Sequence, residues 1–92
     1  MKITVLGSGG WGTALALLLL DNGNDATLWS HREDGAAELR RKRENPLLKG
    51  VALPEALGIS SSLEGVKESG LVVMAVPSFA VRETARKIAP LL

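Results

Sequence analysis

The sequence predicts an α/β fold, a parallel sheet with helices laid on its faces, and three observations carry that prediction. Short β-branched, apolar runs alternate with helix-forming stretches from one end of the chain to the other. A glycine cluster divides the first such run from the first helical stretch. The last apolar run, Leu71 to Val76 (LVVMAV), lacks the polar/apolar alternation of a half-solvated strand and reads as a strand covered on both faces.

Taken in order, Lys2 to Leu6 (KITVL) is a first strand that closes on glycine. Trp11 to Asp21 contains good helix formers, and Gly23 stands where a helix ends in a left-handed turn. Asp25 to Ser30 (DATLWS) is a second strand. Glu33 to Glu44 is a polar second helix, despite Gly35, with acids leading and bases trailing as the helix dipole favours. Asn45 to Gly58 holds Pro46 and Pro54 without a sustained period and reads as a connecting loop. Leu57 to Ser60 is a brief third strand, and Ser61 with Glu64 matches a capping box that opens a short helix ending near Gly70. After the strand Leu71 to Val76, Ser78 caps a last helix whose Val81, Ala85 and Ile88 share a face, with Pro90 near its end. Parallel strands joined by right-handed crossovers give the order 3-2-1-4.

Composition narrows the function. Ninety-two residues make one domain at most, with a single modest core. A net charge of +1 gives no global attraction to nucleic acid or an acidic membrane. The absence of cysteine excludes disulfides, thiolate nucleophiles and zinc-thiolate sites and fits a cytoplasmic protein, while a lone histidine excludes a multi-histidine metal site. The apolar run Ala14 to Leu20 is far shorter than the roughly 20 residues of a membrane span, so no insertion is expected and the run is assigned to a buried helix. Three glycines and a tryptophan interrupt the stretch after Lys2, and no small-residue cleavage site follows Leu20, which argues against a secretory leader.

The glycines carry the chemistry. Gly7, Gly9 and Gly12 fit G-x-G-x-x-G directly after a predicted strand and at the opening of a predicted helix, the context that gives the motif meaning. There Gly7 allows the tight turn, Gly9 leaves room for a pyrophosphate and Gly12 lets helix and strand pack closely, as in a Rossmann-type dinucleotide fold. Ser8 and Gly10 occupy the variable positions, and Trp11 is either a packing residue or a cofactor contact. About 20 residues on, where an acid would bind the adenosine ribose, stand Ser30, His31 and Arg32. This set leans toward NADP(H) over NAD(H), with Arg32 and His31 able to pair a 2′-phosphate unless they are simply solvated. The end of the fourth strand, Val76, Pro77 and Ser78, lies beside the first strand and lines the same crevice, though Pro77 and Ser78 also suit a helix start.

Four segments, VLGSGGWGTALA, ATLWSHRED, NP…G…LPE and VVMAVPSFAVRE, resemble in order and spacing the bacterial-type NAD(P)-dependent glycerol-3-phosphate dehydrogenases over nearly the whole chain. The pairing of G-x-G-x-W-G with a later V-P-S is far more specific than the glycine motif alone. The resemblance implies that Gly7, Gly9, Gly10, Trp11 and Gly12 surround the pyrophosphate, with Ser8 between them in the same cofactor-binding set, that His31 and Arg32 lie at the adenosine end, and that the region Val76 to Ala80, with Val76, Pro77 and Ser78 as its assigned contacts, borders the cofactor's inner half. It implies reversible reduction of dihydroxyacetone phosphate to sn-glycerol 3-phosphate for phospholipid synthesis, with a lysine acting on the ketone. Family members continue beyond the equivalent of Leu92 with that lysine and an all-helical substrate domain. Residues 1–92 are therefore expected to be a truncated, partial NAD(P)-binding domain without a catalytic residue. Lys67 and Lys87 are assigned to helices outside the crevice. The loop NPLLKG departs from the family pattern, being one residue short and without an aromatic, so no cofactor contact is assigned to Leu47 or Leu48. Two rivals are a stand-alone NAD(P)-binding module without catalysis and another hydroxyacid or ketopantoate-type dehydrogenase. An open edge on the last strand would favour a homo-oligomer.

Overall fold

The structure is a computed structural model that describes residues 1–92. Its centre is a four-stranded parallel sheet built from β1 (Lys2–Leu6), β2 (Asp25–Trp29), β5 (Gly58–Ser60) and β6 (Leu71–Met74) in the order β5-β2-β1-β6. This is the 3-2-1-4 order expected from the sequence. The helices are α1 (Gly10–Asp21), α2 (Glu33–Lys42) and α3 (Val81–Ile88). No helix is long and apolar enough to cross a membrane.

Strand periodicity divides the core into two layers. Ile3 and Val5 of β1 and Ala26 and Leu28 of β2 face Ala16 of α1 and Ala36 and Leu39 of α2, with Leu53, Leu57 and Ile59 completing that layer. Leu6 and Trp29 face the opposite way and pack with Val66 and Ile88. β1 is paired on both edges, which places its C-terminal end, where the glycines begin, at the middle of the molecule.

Several local expectations are corrected. α1 buries only Gly12, Thr13 and Ala16 and leaves Leu18 exposed. A helix apolar all round that covers one face of a sheet must show the other side to solvent. α2 stops at Lys42, not Glu44, because Arg43 adopts a left-handed conformation with φ of 52°. That uncommon backbone is held by the Arg43 guanidinium, whose Nη1 donates to the carbonyls of Pro54 (3.0 Å) and Leu57 (2.9 Å). The segment read as a loop is in part a hairpin, β3 (Glu44–Asn45) with β4 (Leu48–Ala52), turning at Pro46 and Leu47. β4 is largely exposed and so lacks the alternation that marks a strand in sequence.

The capping box does not form. Ser61 Oγ donates to the Glu33 carboxylate, and Ser62 Oγ accepts the Glu64 amide at 3.2 Å above a short 3-10 turn, Glu64–Glu68. The last strand ends at Met74 and is half-buried with Leu71 exposed, so it is not covered on both faces, and the strand order places it at the open edge of the sheet that the sequence led us to expect. Ser78 makes no side-chain cap. A 3-10 turn, Ser78–Ala80, precedes α3 and phases it so that Thr84 and Ile88 are buried while Val81 and Ala85 are exposed.

Candidate functional site

The glycine loop joins β1 to α1, and backbone contacts account for three of its four glycines. Gly7 has φ of +122°, donates its N–H to the Trp29 carbonyl at 3.0 Å, and a Cβ there would lie 2.4 Å from the Ala75 carbonyl oxygen. A Cβ on Gly12 would lie 2.3 Å from the Gly7 carbonyl oxygen and 3.3 Å from the Ala75 Cβ. Loop, helix and the end of β6 therefore touch main chain to main chain. Gly9 differs, since its backbone (φ −68°, ψ 176°) suits any residue and nothing lies within 4 Å of a Cβ there. Gly10 is the third glycine closed by main chain, because its Cβ would lie 2.9 Å from the Leu47 carbonyl oxygen in the hairpin turn.

A buried asparagine pins this loop. Asn45 Nδ2 donates to the Ser8 carbonyl and to Thr13 Oγ1, both at 2.8 Å, while its Oδ1 accepts the Leu47 amide at 3.0 Å. Ser8 Oγ donates to the buried Ser30 Oγ at 3.2 Å, tying the loop to the end of β2. The only sequence signal at Asn45 was the turn dipeptide Asn-Pro, which says nothing of a tertiary anchor.

A cleft of about 590 Å³ opens above these elements. Gly7, Ser8, Gly9, Trp11 and Gly12 form its floor, Trp29 and His31 one wall, and Val76 and Pro77 the other. The two rings on the first wall are tilted, with centroids 6.5 Å apart. Three residues of the expected set do not line it: Gly10 lies under the hairpin, Arg32 is turned to Asp34, and Ser78 is outside. Phe79 and Ala80, within the expected stretch Val76 to Ala80, line it as well, and residues not foreseen do so too, namely Leu47, Ala75, Glu83, Thr84 and Lys87. Lys87 is thus on the cleft wall and not outside the crevice, 3.7 Å from Glu83 one helical turn away. Its placement follows from the 3-10 turn that rephases α3, and Leu47 arrives through the unpredicted hairpin. A second, more open hollow of about 620 Å³ lies between α1 and β4, lined by Leu17, Leu18, Val51 and Pro54 among others. None of the glycine-loop residues belongs to it.

The electrostatics of the floor favour an anion. α1 begins at Gly10 with no side-chain cap and no acidic residue in its first turn, so the first-turn amides have no helical acceptor and the positive end of the dipole faces the cleft. The open space at Gly9 is a cradle that a Cβ would begin to fill, and its neighbours fit a pyrophosphate. At the far side, the Arg32 guanidinium beside Asp34 holds that carboxyl below its ordinary value, helped by the Gly35 amide.

The sequence matches the family model for the N-terminus of NAD-dependent glycerol-3-phosphate dehydrogenase over residues 2–92. Glycerol-3-phosphate dehydrogenase [NAD(P)+] of Chlorobium phaeobacteroides is 54% identical over 86 residues, which cover 91% of this chain and 26% of the relative. The Bacillus subtilis protein of the same name is 40% identical over 93 residues, covering 99% of this chain and 27% of the relative. A crystal structure of glycerol-3-phosphate dehydrogenase from Coxiella burnetii superposes with a TM-score of 0.88 at 36% identity, over 99% of this chain and 29% of that one. The chain thus spans about a quarter of the length of the curated relatives it matches. Because the match runs through strand, glycine loop, hairpin and the end of β6 alike, the chain belongs to the family of the NAD-dependent glycerol-3-phosphate dehydrogenase N-terminus.

Proposed function

We propose that Gly7 to Gly12 cradle the pyrophosphate of NADP(H) or NAD(H), and that residues 1–92 are part of the dinucleotide-binding domain of an oxidoreductase. The reaction would interconvert dihydroxyacetone phosphate and sn-glycerol 3-phosphate, a step that supplies glycerophospholipid synthesis. The observation that carries the reading is the contrast between Gly9, open to the cleft, and Gly7 and Gly12, closed by main-chain contacts. The names of the relatives support the substrate and disfavour the stand-alone module and the other dehydrogenases.

When bound, the nicotinamide supplies or accepts the hydride. This chain's residues do the holding. The α1 amides and Gly9 receive the phosphates, and Ser8 is braced from both sides by Ser30 and Asn45. His31 stands at the adenosine side, while Val76 and Pro77 bound the other half. Ser30, in place of an acid, removes a charge that would repel a 2′-phosphate and supports a lean to NADPH. No residue here is assigned to act on the ketone, and the groups that do so are placed in a substrate domain outside these 92 residues. The same reading sets the protein in the cytoplasm, in keeping with a chain free of cysteine. It also includes self-association through the open β6 edge, which light scattering across a concentration series tests.

The test of the cradle is Gly9→Val, followed by tryptophan fluorescence as NADPH or NADH is titrated. Binding should be lost while the circular dichroism spectrum is kept, because the new side chain fills only cleft space. Unchanged affinity in a folded variant would rule the cradle out.

A further inference from the structure

Next to His31 in the chain, just outside the residues that line the cleft, stands a charge arrangement that the glycine cradle leaves unexplained. Ser30, where a ribose-binding acid would stand, is buried and engaged by Ser8. The nearest cation along the chain is Arg32, and its Nε and Nη2 donate to Asp34 Oδ1 and Oδ2 at 3.1 Å each, a two-pronged pair. Asp34 is itself anchored, since its Oδ1 also accepts the Gly35 amide at 2.9 Å in the first turn of α2. The neighbouring Glu33 is turned away to Arg40 and Ser61 and does not compete for Arg32.

An arginine that recognises a phosphate presents the same double-donor edge that Asp34 occupies here. A 2′-phosphate must displace Asp34 from that edge or accept the remaining donors beside a fixed negative charge. NADH, with a neutral 2′-hydroxyl, meets neither obstacle. The side chains of Arg32 and Asp34 are 69% and 72% exposed, so solvent weakens the pair and a dianion can exchange for the carboxylate. The arrangement therefore tunes selectivity and does not block the phosphate.

Building on the reading of Gly7 to Gly12 as a dinucleotide cradle, we propose that Asp34 is a coenzyme-specificity residue. By occupying the donor edge of Arg32, it reduces the advantage of NADPH over NADH and leaves the site open to both. Asp34 acts through Arg32 and touches no reacting atom.

The experiment is isothermal titration calorimetry of the 92-residue chain with NADPH and with NADH, for the unaltered protein, Asp34→Asn, Arg32→Ala and the double variant. Asparagine keeps the acceptor for the Gly35 amide, so the start of α2 is preserved and circular dichroism checks this. Asp34→Asn should raise the NADPH to NADH affinity ratio about five-fold, the scale of an exposed ion pair, with NADH affinity unmoved. Arg32→Ala should lower the ratio, and adding Asp34→Asn to it should change nothing more. An unchanged ratio in Asp34→Asn overturns the proposal, as does an equal rise with Arg32 absent, which would mean simple repulsion. If the unaltered chain binds neither nucleotide, the cradle itself falls and this proposal with it. If it binds both and Asp34→Asn is silent, only the role of Asp34 falls.

Discussion

Gly12→Ala and Gly9→Ala, two substitutions three residues apart, should move stability in opposite directions. A Cβ on residue 12 would lie 2.3 Å from the Gly7 carbonyl oxygen, well inside the 3.0 Å that real Cβ contacts respect. The obstacle cannot rotate away, because it is main chain. Gly7 is tied to β2 by its N–H bond to Trp29, and Ala75, 3.3 Å away on the other side, is tied to β1 by its N–H bond to Leu6 at 2.8 Å. Relief requires α1 to lift from the sheet, which also loosens Thr13 and Ala16 in the core. Overpacking of this kind costs about 3 kcal/mol, the upper part of the usual range. For a chain of this size that is a large share of total stability, and at 4–8 °C per kcal/mol it lowers Tm by roughly 12–24 °C. Gly9→Ala meets nothing within 4 Å at a φ of −68°, so it should be neutral or raise stability by about 0.5 kcal/mol through the unfolded chain. Thermal unfolding followed at 222 nm reads both. A Tm for Gly12→Ala within about 3 °C of the unaltered protein would refute the close main-chain contact, since that shift corresponds to less than 1 kcal/mol.

Asn45→Ala removes three hydrogen bonds at a buried position, leaving the Leu47 amide without its partner and the Ser8 carbonyl with only a long 3.5 Å bond from Thr13 Oγ1. The expected loss is about 2 kcal/mol in urea unfolding, together with weaker dinucleotide binding as the loop is released, and an unchanged urea midpoint would contradict the anchor. The pH dependence follows from four exposed carboxylates. Glu33 is held below its ordinary value by the Ser61 hydroxyl and then Arg40, Asp34 by Arg32, Glu38 by Lys42 and Arg41, and Glu68 by Lys2. Because the folded state binds these protons more weakly than the unfolded one, their contribution is complete above the unfolded values and lost as pH falls. The urea midpoint should be level from about pH 7 to 5 and decline from about pH 4 downward, less steeply in added salt. A midpoint unchanged between about pH 5 and 3 would show that these pairs do not contribute.

The sequence by itself determined the layered α/β class, the four parallel strands in their order, and a glycine loop at the join of β1 and α1. These are written in short-range patterns: β-branched runs, helix formers, and glycines at fixed spacing that follow a strand. What depended on contacts between distant segments was decided only in the tertiary structure. Asn45 reaches the loop 37 residues away, and the turn it belongs to sets Leu47 at the cleft and closes over Gly10. Ser61 donates to Glu33, 28 residues away, and the Glu64 amide that the capping box assigned to it is taken by Ser62 Oγ. The 3-10 turn before α3 changes which face is buried and carries Lys87 to the cleft wall, a phase that spacing within the helix cannot reveal. Arg32 and Asp34 are only two residues apart, yet their pairing depends on how β2 hands over to α2, with Arg32 extended before the helix and Asp34 fixed in its first turn. Local sequence specifies conformation along the chain, whereas the partner of each polar side chain is chosen among all the groups that folding brings within reach.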